Sequence, residues 1–288
     1  MVNEQSVKET IGFLSGDKLK GRKPGTPGIE LAAGYLETKL MDAGIPPYFK
    51  SYRDAISYEG IDTCNIVGCL EGRDPLLKNE YVVIGAHYDH IGTALAADSK
   101  GDIIFNGAND NASGVAAVLE LAKYFASNKN NYRSILFCFF TAEEYDKRGS
   151  IHLAEKLQQQ GLTLYMMLNF EMIGMPLEDG LVYMTGFRKS NIIEKFNEYA
   201  GKTFFRRIMP GSIDVFLNMD SDNHSFFKKF KVPAHTATTF NRQNYIFYHN
   251  LDDEMENIDV ANITRIINEM LPVIATMVST KDKEIILR

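Results

Sequence analysis

Tyr81-Val-Val-Ile-Gly-Ala-His87-Tyr-Asp89-His90 is the stretch on which the reading of this 288-residue chain turns. Tyr81 to Ala86 run without a polar interruption and then give way to a histidine, an aspartate and a second histidine. A short, unbroken apolar run is the pattern of a strand covered on both faces, as in sheets with helices above and below. Ser134-Ile-Leu-Phe-Cys-Phe-Phe140 repeats it, as does the segment 164–170, and 181–185 is a fourth candidate. Between the first two, residues 112–126 space Val115, Val118, Leu119, Ala122 and Phe125 at a helical period, with Asn111 or Ser113 to cap the helix. A further helix is expected near 151–160. Strands alternating with helices give an α/β fold in three layers. A mixed, mostly parallel central sheet would carry helices on both faces.

The flanks agree with that plan. The first forty residues read as helical: Pro27 suits the first helical position, Leu31, Tyr35, Leu36 and Leu40 form an apolar stripe, and Gly44 is the stop. A β-leaning stretch ends in Asn65-Ile-Val-Gly-Cys-Leu70. From Val260 onward, Ile263, Ile266, Ile267, Met270, Leu271 and Ile274 share one helical face. With no internal repeat, low-complexity segment or linker, residues 1–288 read as one domain.

Composition narrows the function classes. Hydrophobic residues make up 45% and charged residues 24%, as in ordinary globular proteins. A chain this long buries on the order of three quarters of its extended surface, enough to hold a rigid site. The net charge of -6 is spread along the chain, and the Lys228, Lys229, Lys231 patch is too short for a nucleic-acid stripe. Three cysteines, Cys64, Cys69 and Cys138, fit neither a disulfide framework nor a zinc knuckle. No segment approaches the roughly 18 apolar residues of a membrane span, and no secretory leader opens the chain.

The polar residues fall at the strand ends. His87, Asp89 and His90 follow the first strand, Glu143-Glu144 the second, and Glu171 the third. Ligands in open α/β sheets bind outside the carboxyl ends of the strands. Each piece has a plain structural reading: His-x-Asp as a hydrogen-bonded pair, paired glutamates as a helix start, Asp110 as a turn residue, Tyr248-His249 as loop. Together they concentrate carboxylates and imidazoles at one edge, which is costly to bury unless a cation pairs them. Two histidines and three carboxylates suit zinc, and five ligands suit two ions sharing a bridging carboxylate about 3.5–4 Å from one another.

The motifs Gly85-Ala-His-Tyr-Asp-His, Asn106-Gly-Ala-Asn-Asp-Asn-Ala-Ser-Gly, Phe140-Thr-Ala-Glu-Glu, Leu168-Asn-Phe-Glu-Met-Ile-Gly and Phe247-Tyr-His resemble, in order, the zinc aminopeptidases of metallopeptidase family twenty-eight. The segments 17–28 and 221–226 are similar to that family's N-terminal segment and late loop. The resemblance implies a zinc-exopeptidase fold and two zinc ions. Asp110 would bridge them, Glu144 and His249 complete one metal, and His87 and Glu171 the other. It also implies Glu143 as general base and Asp89 as the carboxylate orienting His87. Tyr248 is either a donor to the developing oxyanion or an aromatic pocket wall. His90, His152 and His235 are left as ordinary histidines, and neither Asn223 nor His224 is assigned as a ligand.

The implied substrate is a peptide with a free N-terminus, its pocket drawing on loop residues within 208–219. Glu171 stands where the family usually has Asp, one methylene shorter, which leaves carboxypeptidase or dipeptidase activity as an alternative. A glutaminyl-cyclase-like enzyme with a single zinc would not need both His87 and Glu171. A receptor-type domain without catalysis would not need Glu143. Export of relatives points to a periplasmic or secreted home, with a cytoplasmic one open. The oligomeric state is not legible.

Overall fold

The computed structural model describes residues 1–207, 219–240 and 245–288. The three apolar runs form β3 (Glu80–His87), β4 (Ser134–Phe140) and β5 (Thr163–Phe170). They sit at the centre of an eight-stranded sheet with β1 (Arg53–Tyr58), β2 (Ile61–Leu70), β6 (Val182–Met184), β7 (Phe205–Arg207) and β8 (Ala234–Thr238). The order is β1-β2-β4-β3-β5-β8-β6-β7. The four central strands β4, β3, β5 and β8 run parallel, while β1 and β2 at one edge and the β6–β8 pairing are antiparallel. The sheet is therefore mixed with a parallel centre, the α/β class expected.

Alternation along the central strands explains why they read as continuous apolar runs. Val82, Ile84 and Ala86, Ile135, Phe137 and Phe139, and Met166, Leu168 and Phe170 face the larger core. Their neighbours Val83, Leu136, Cys138, Phe140 and Met167 face a second core on the other side. Helices α1 (Glu4–Leu14), α2 (Pro27–Asp42), α3 (Gly114–Asn128), α5 (Ile192–Ala200) and α7 (Val260–Ser279) cover the first. Helices α4 (Arg148–Gln159) and α6 (Asn223–Phe230) cover the second. Full burial of each large apolar side chain contributes about 1.5–3 kcal/mol, so a strand filled on both faces is anchored twice. None of the helices described is long and apolar enough to cross a membrane.

Two local expectations are corrected and an alternative is resolved. The first forty residues are not one helical unit: a 3-10 segment, Asp17–Arg22, with left-handed backbone at Lys20 and Gly21, separates α1 from α2. In α2 the buried stripe is Ile29, Ala32, Ala33, Leu36 and Leu40, and Leu31 points outward at 42% exposure. The helix does start at Pro27, but packing on β2 and α3 selects the face one position away from the one Leu31 marks. The start of α3 is capped by Asn111, whose Oδ1 accepts from the Gly114 amide, whereas Ser113 donates to the Asn109 carbonyl.

Candidate metal centre

Strands β4, β3 and β5 are adjacent and parallel, so their C-terminal ends open on one edge. His87 is the last residue of β3, and Glu171 directly follows β5. Glu143 and Glu144 lie on the turn between β4 and α4. Asp110 comes from the connection between β3 and α3, and His249 from the loop after β8.

The Asp110 loop is held by buried polar anchors. Asp253, 1% exposed, accepts both the Asn109 and Asp110 amides, at 2.7 and 3.0 Å. Asn111 donates to the Phe170 carbonyl and accepts from the Met172 amide, tying the loop to the end of β5. From below, the fully buried Arg22 donates to the carbonyls of Leu14, Tyr88, Asn106 and Gly107. One guanidinium therefore joins the N-terminal segment, the end of β3 and the Asp110 loop. Burial lowers its pKa to about 10, which leaves it charged at neutral pH.

Two groups of potential ligands share Asp110: His87, Asp110 and Glu171, and His90, Asp110 and Glu144, each with ligand atoms within 4.8 Å. His87 Nε2 is 3.1 Å from Asp110 Oδ1. His249 Nε2 lies 2.8 Å from Glu144 Oε2 and 3.5 Å from Asp110 Oδ2. All five residues expected as ligands thus meet at one place, with Asp110 between the two sets. His87 Nε2 and His249 Nε2, both turned toward carboxylates, are buried without a hydrogen bond of good geometry. Imidazole nitrogens turned toward carboxylates but not hydrogen-bonded to them are what a cation between them requires. The nitrogen and oxygen donors suit zinc.

Electrostatics point the same way. Burial raises the Glu143 carboxyl well above the usual range, with Glu171, Asp222 and Glu144 adding to the rise against the pull of His87. Burial likewise takes Glu171 up to about 8, and Asp110 adds to it. Burial opposes the charging of His87, yet Glu143, Asp110 and Asp89 outweigh it and hold the ring well above its ordinary value. His249 is raised to about 10 against burial by Asp110 and Glu144. Against burial, the neighbouring histidines hold Asp110 and Glu144 low, whereas Glu143 and Glu171 stay raised, and a bound dication lowers raised carboxyls.

Glu171, the longer acid, has its own supports. Ser221 donates a very short hydrogen bond to Oε2, and the Asn169 amide approaches the same oxygen at 3.4 Å. Asn169 and Thr236 in turn bond Ser221. Asp89 faces His87 as expected and has a second task. His87 Nδ1 is 3.3 Å from the Asp89 carbonyl and 3.7 Å from its carboxylate. That carboxylate accepts from the Glu143 and Glu144 amides, at 3.1 and 3.4 Å. Asp89 therefore meets His87 through both its carbonyl and its carboxylate, and the carboxylate also holds the Glu143–Glu144 turn. Tyr248 stacks on His249 with ring centroids 3.9 Å apart and borders the cavity above the site.

His90 is the correction of most consequence. Read from sequence as an ordinary histidine, it is buried with Nδ1 2.8 Å from Glu144 Oε1 and 4.0 Å from Asp110 Oδ2. His152 and His235 do stay apart from the metal groups. Reading the sequence alone also missed Ser221, Asp253 and Arg22, which touch the site only through long-range packing. Of the segment expected to line the substrate pocket, 208–218 lies outside the described residues.

The profile of peptidase family M28 matches residues 65–274. A protein of Aspergillus fumigatus described as a probable leucine aminopeptidase 2 is 32% identical over 236 residues, 77% of this chain and 42% of that protein. The chain spans about two fifths of the length of such curated relatives. Among solved structures, a Zn-dependent exopeptidase from Parabacteroides distasonis superposes with TM-score 0.72 at 19% identity, covering 97% of this chain and 98% of that one. The glutaminyl cyclase of Porphyromonas gingivalis superposes with TM-score 0.75 at 17% identity, covering 96% and 99%. At these identities the likeness is one of fold.

Proposed function

The chain belongs to peptidase family M28, and from that premise we propose that it is a two-zinc aminopeptidase that removes the first residue of a peptide. The observation carrying this reading is that Asp110 is common to both ligand groups while Glu143 belongs to neither. His87 and Glu171 would complete one zinc, and Glu144 and His249 the other, with Asp110 between them. When bound, such a pair supplies Lewis acidity, polarising the scissile carbonyl and making water ionise near neutral pH.

The chain's own residues supply the rest. Glu143 lines the cavity, and its raised pKa suits a carboxylate that takes a proton from water and delivers it to the leaving amine nitrogen. Asp89 fixes the turn that carries Glu143. Met172, Phe240 and Tyr248 form an apolar cluster with Leu177 and Tyr183, a fitting wall for the side chain of the substrate's first residue. Tyr248 serves there as wall, its hydroxyl pushed up by burial and by the surrounding acids.

The glutaminyl-cyclase fold likeness keeps a second reading in view. It is disfavoured because both ligand groups are complete, whereas a single-zinc enzyme needs one. The test is a panel of aminoacyl anilides and N-blocked peptides, assayed with and without a chelator. Anilide hydrolysis that vanishes on metal removal and returns with zinc is expected. Cleavage confined to the C-terminal bond of blocked peptides would make the enzyme a carboxypeptidase. Cyclisation of N-terminal glutamine without hydrolysis would make it a cyclase.

A further inference from the structure

The cavity over the two ligand groups, about 230 Å³, has two unlike walls. Met172, Phe240 and Tyr248 make the apolar one, and Asp146, Lys147 and Asp220 a charged one. Lys147 is the sole lysine or arginine among the described residues that line it.

Lys147 differs from a surface lysine in its tie to the Glu143 turn and in its burial. Asp146 and Lys147 are consecutive left-handed residues, at φ 61° and 58°, and neither is glycine. Backbone of this kind is disfavoured for a side chain such as lysine and is retained where the surroundings impose it. Here the Lys147 amide donates to the Glu143 carbonyl at 2.9 Å, so the turn that presents Glu143 and Glu144 also presents Lys147. The side chain is 17% exposed, although lysines ordinarily carry their ammonium out to water. Its ion-pair partner among the described residues is Asp220, at 3.7 Å, beyond hydrogen-bond distance, and Asp220 is itself half-exposed. The result is a mostly buried lysine, paired at 3.7 Å with a half-exposed Asp220, on the rim of a cavity otherwise lined by carboxylates, His249 and the apolar wall.

We propose that Lys147 binds a carboxylate of the substrate, on the side of the scissile bond away from the apolar wall. This rests on the aminopeptidase reading and narrows it to peptides with a carboxylate within about two residues of the cleaved bond. A backbone advances roughly 3.3–3.6 Å per residue, so the free C-terminus of a dipeptide or tripeptide meets that condition. An acidic side chain just after the cleaved bond presents the same chemistry. A longer neutral peptide presents none.

The test compares kcat/KM of the zinc-loaded enzyme on Leu-Gly-Gly, its C-terminal amide, and Leu-Glu-Gly-amide. The same set is run on Lys147→Met and Lys147→Arg. Wild type is expected to favour the free acid over the amide by roughly ten- to hundredfold, the worth of one charge-assisted hydrogen bond. The ratio should fall near one in Lys147→Met and persist in Lys147→Arg. Leu-Glu-Gly-amide matching the free acid would assign the contact to a side chain, and its matching the plain amide would assign it to the C-terminus. Equal rates on acid and amide in wild type would overturn the inference while leaving the aminopeptidase standing, with no variant needed. A preference retained in Lys147→Met would do the same. Hydrolysis of none of the three would overturn both.

Discussion

His90 Nδ1 and His249 Nε2 each lie 2.8 Å from Glu144, the first from Oε1 and the second from Oε2. The carboxylate is held on both oxygens, by one buried ring and one partly open ring. Residues that touch a metal-binding side chain in this way commonly tune affinity roughly 10–100-fold. His90→Ala should weaken one zinc by about that factor and leave the other unchanged, read by competition with a chromophoric chelator. Two zinc affinities identical to wild type would return His90 to the status of an ordinary core histidine.

Glu143→Gln keeps the size and hydrogen-bonding reach of the side chain but cannot accept a proton. Loss of a general base lowers turnover roughly 10²–10⁴-fold. The variant should retain two zinc per chain by elemental analysis while kcat falls within that range. Parallel loss of zinc and activity would identify Glu143 as a ligand instead.

Ser221 holds the far oxygen of Glu171 together with Asn169. Ser221→Ala should leave the Glu171 carboxylate less well placed and weaken zinc on the His87 side by roughly tenfold or more. Ser221→Thr, which restores the hydroxyl, should recover most of that affinity. Equilibrium dialysis against a zinc buffer reads both.

His235 offers a pH signature away from the metals. Its Nδ1 donates to the Thr185 carbonyl and its Nε2 accepts from Ser190, so the fold holds it neutral. Burial lowers its pKa from 6.5 to about 4. The folded state then binds fewer protons than the unfolded state between these values. Its contribution is complete above pH 6.5 and is lost as pH falls toward 4, amounting to on the order of 3 kcal/mol. Urea unfolding of metal-free protein across this window should show a steeper loss in wild type than in His235→Gln. Parallel curves would contradict the assignment.

The sequence carried the centre of the sheet better than its edges. Strands β3, β4 and β5 are filled on both faces, and their continuous apolar runs declare it. Strand β8 is equally buried, yet Ala-His-Thr-Ala-Thr spends its inward positions on hydrogen bonds, so no apolar run marks it. His87, Glu144 and Glu171 were legible because a strand end fixes where its next residues go. His249 sits in a loop and was found by its motif alone. His90 was missed because chain direction after a strand end is set by tertiary contacts, here the bond from its amide to the Arg22 carbonyl. Ser221 joins Glu171 across 50 residues of sequence, a distance over which periodicity says nothing.

Arg22 bears on how far the candidate metal centre could be transplanted. The family profile spans 65–274, and every expected ligand and the expected base fall inside it. The guanidinium that fastens the Asp110 loop to the end of β3 falls outside it. A fragment cut to the profile would contain all the chemistry and lack the rivet. The carbonyls of Tyr88, Asn106 and Gly107, three buried acceptors, would lose their donor. The unit that shapes the candidate site is therefore larger than the motif that identifies it, and any graft or trimmed version must carry the N-terminal segment as a working part.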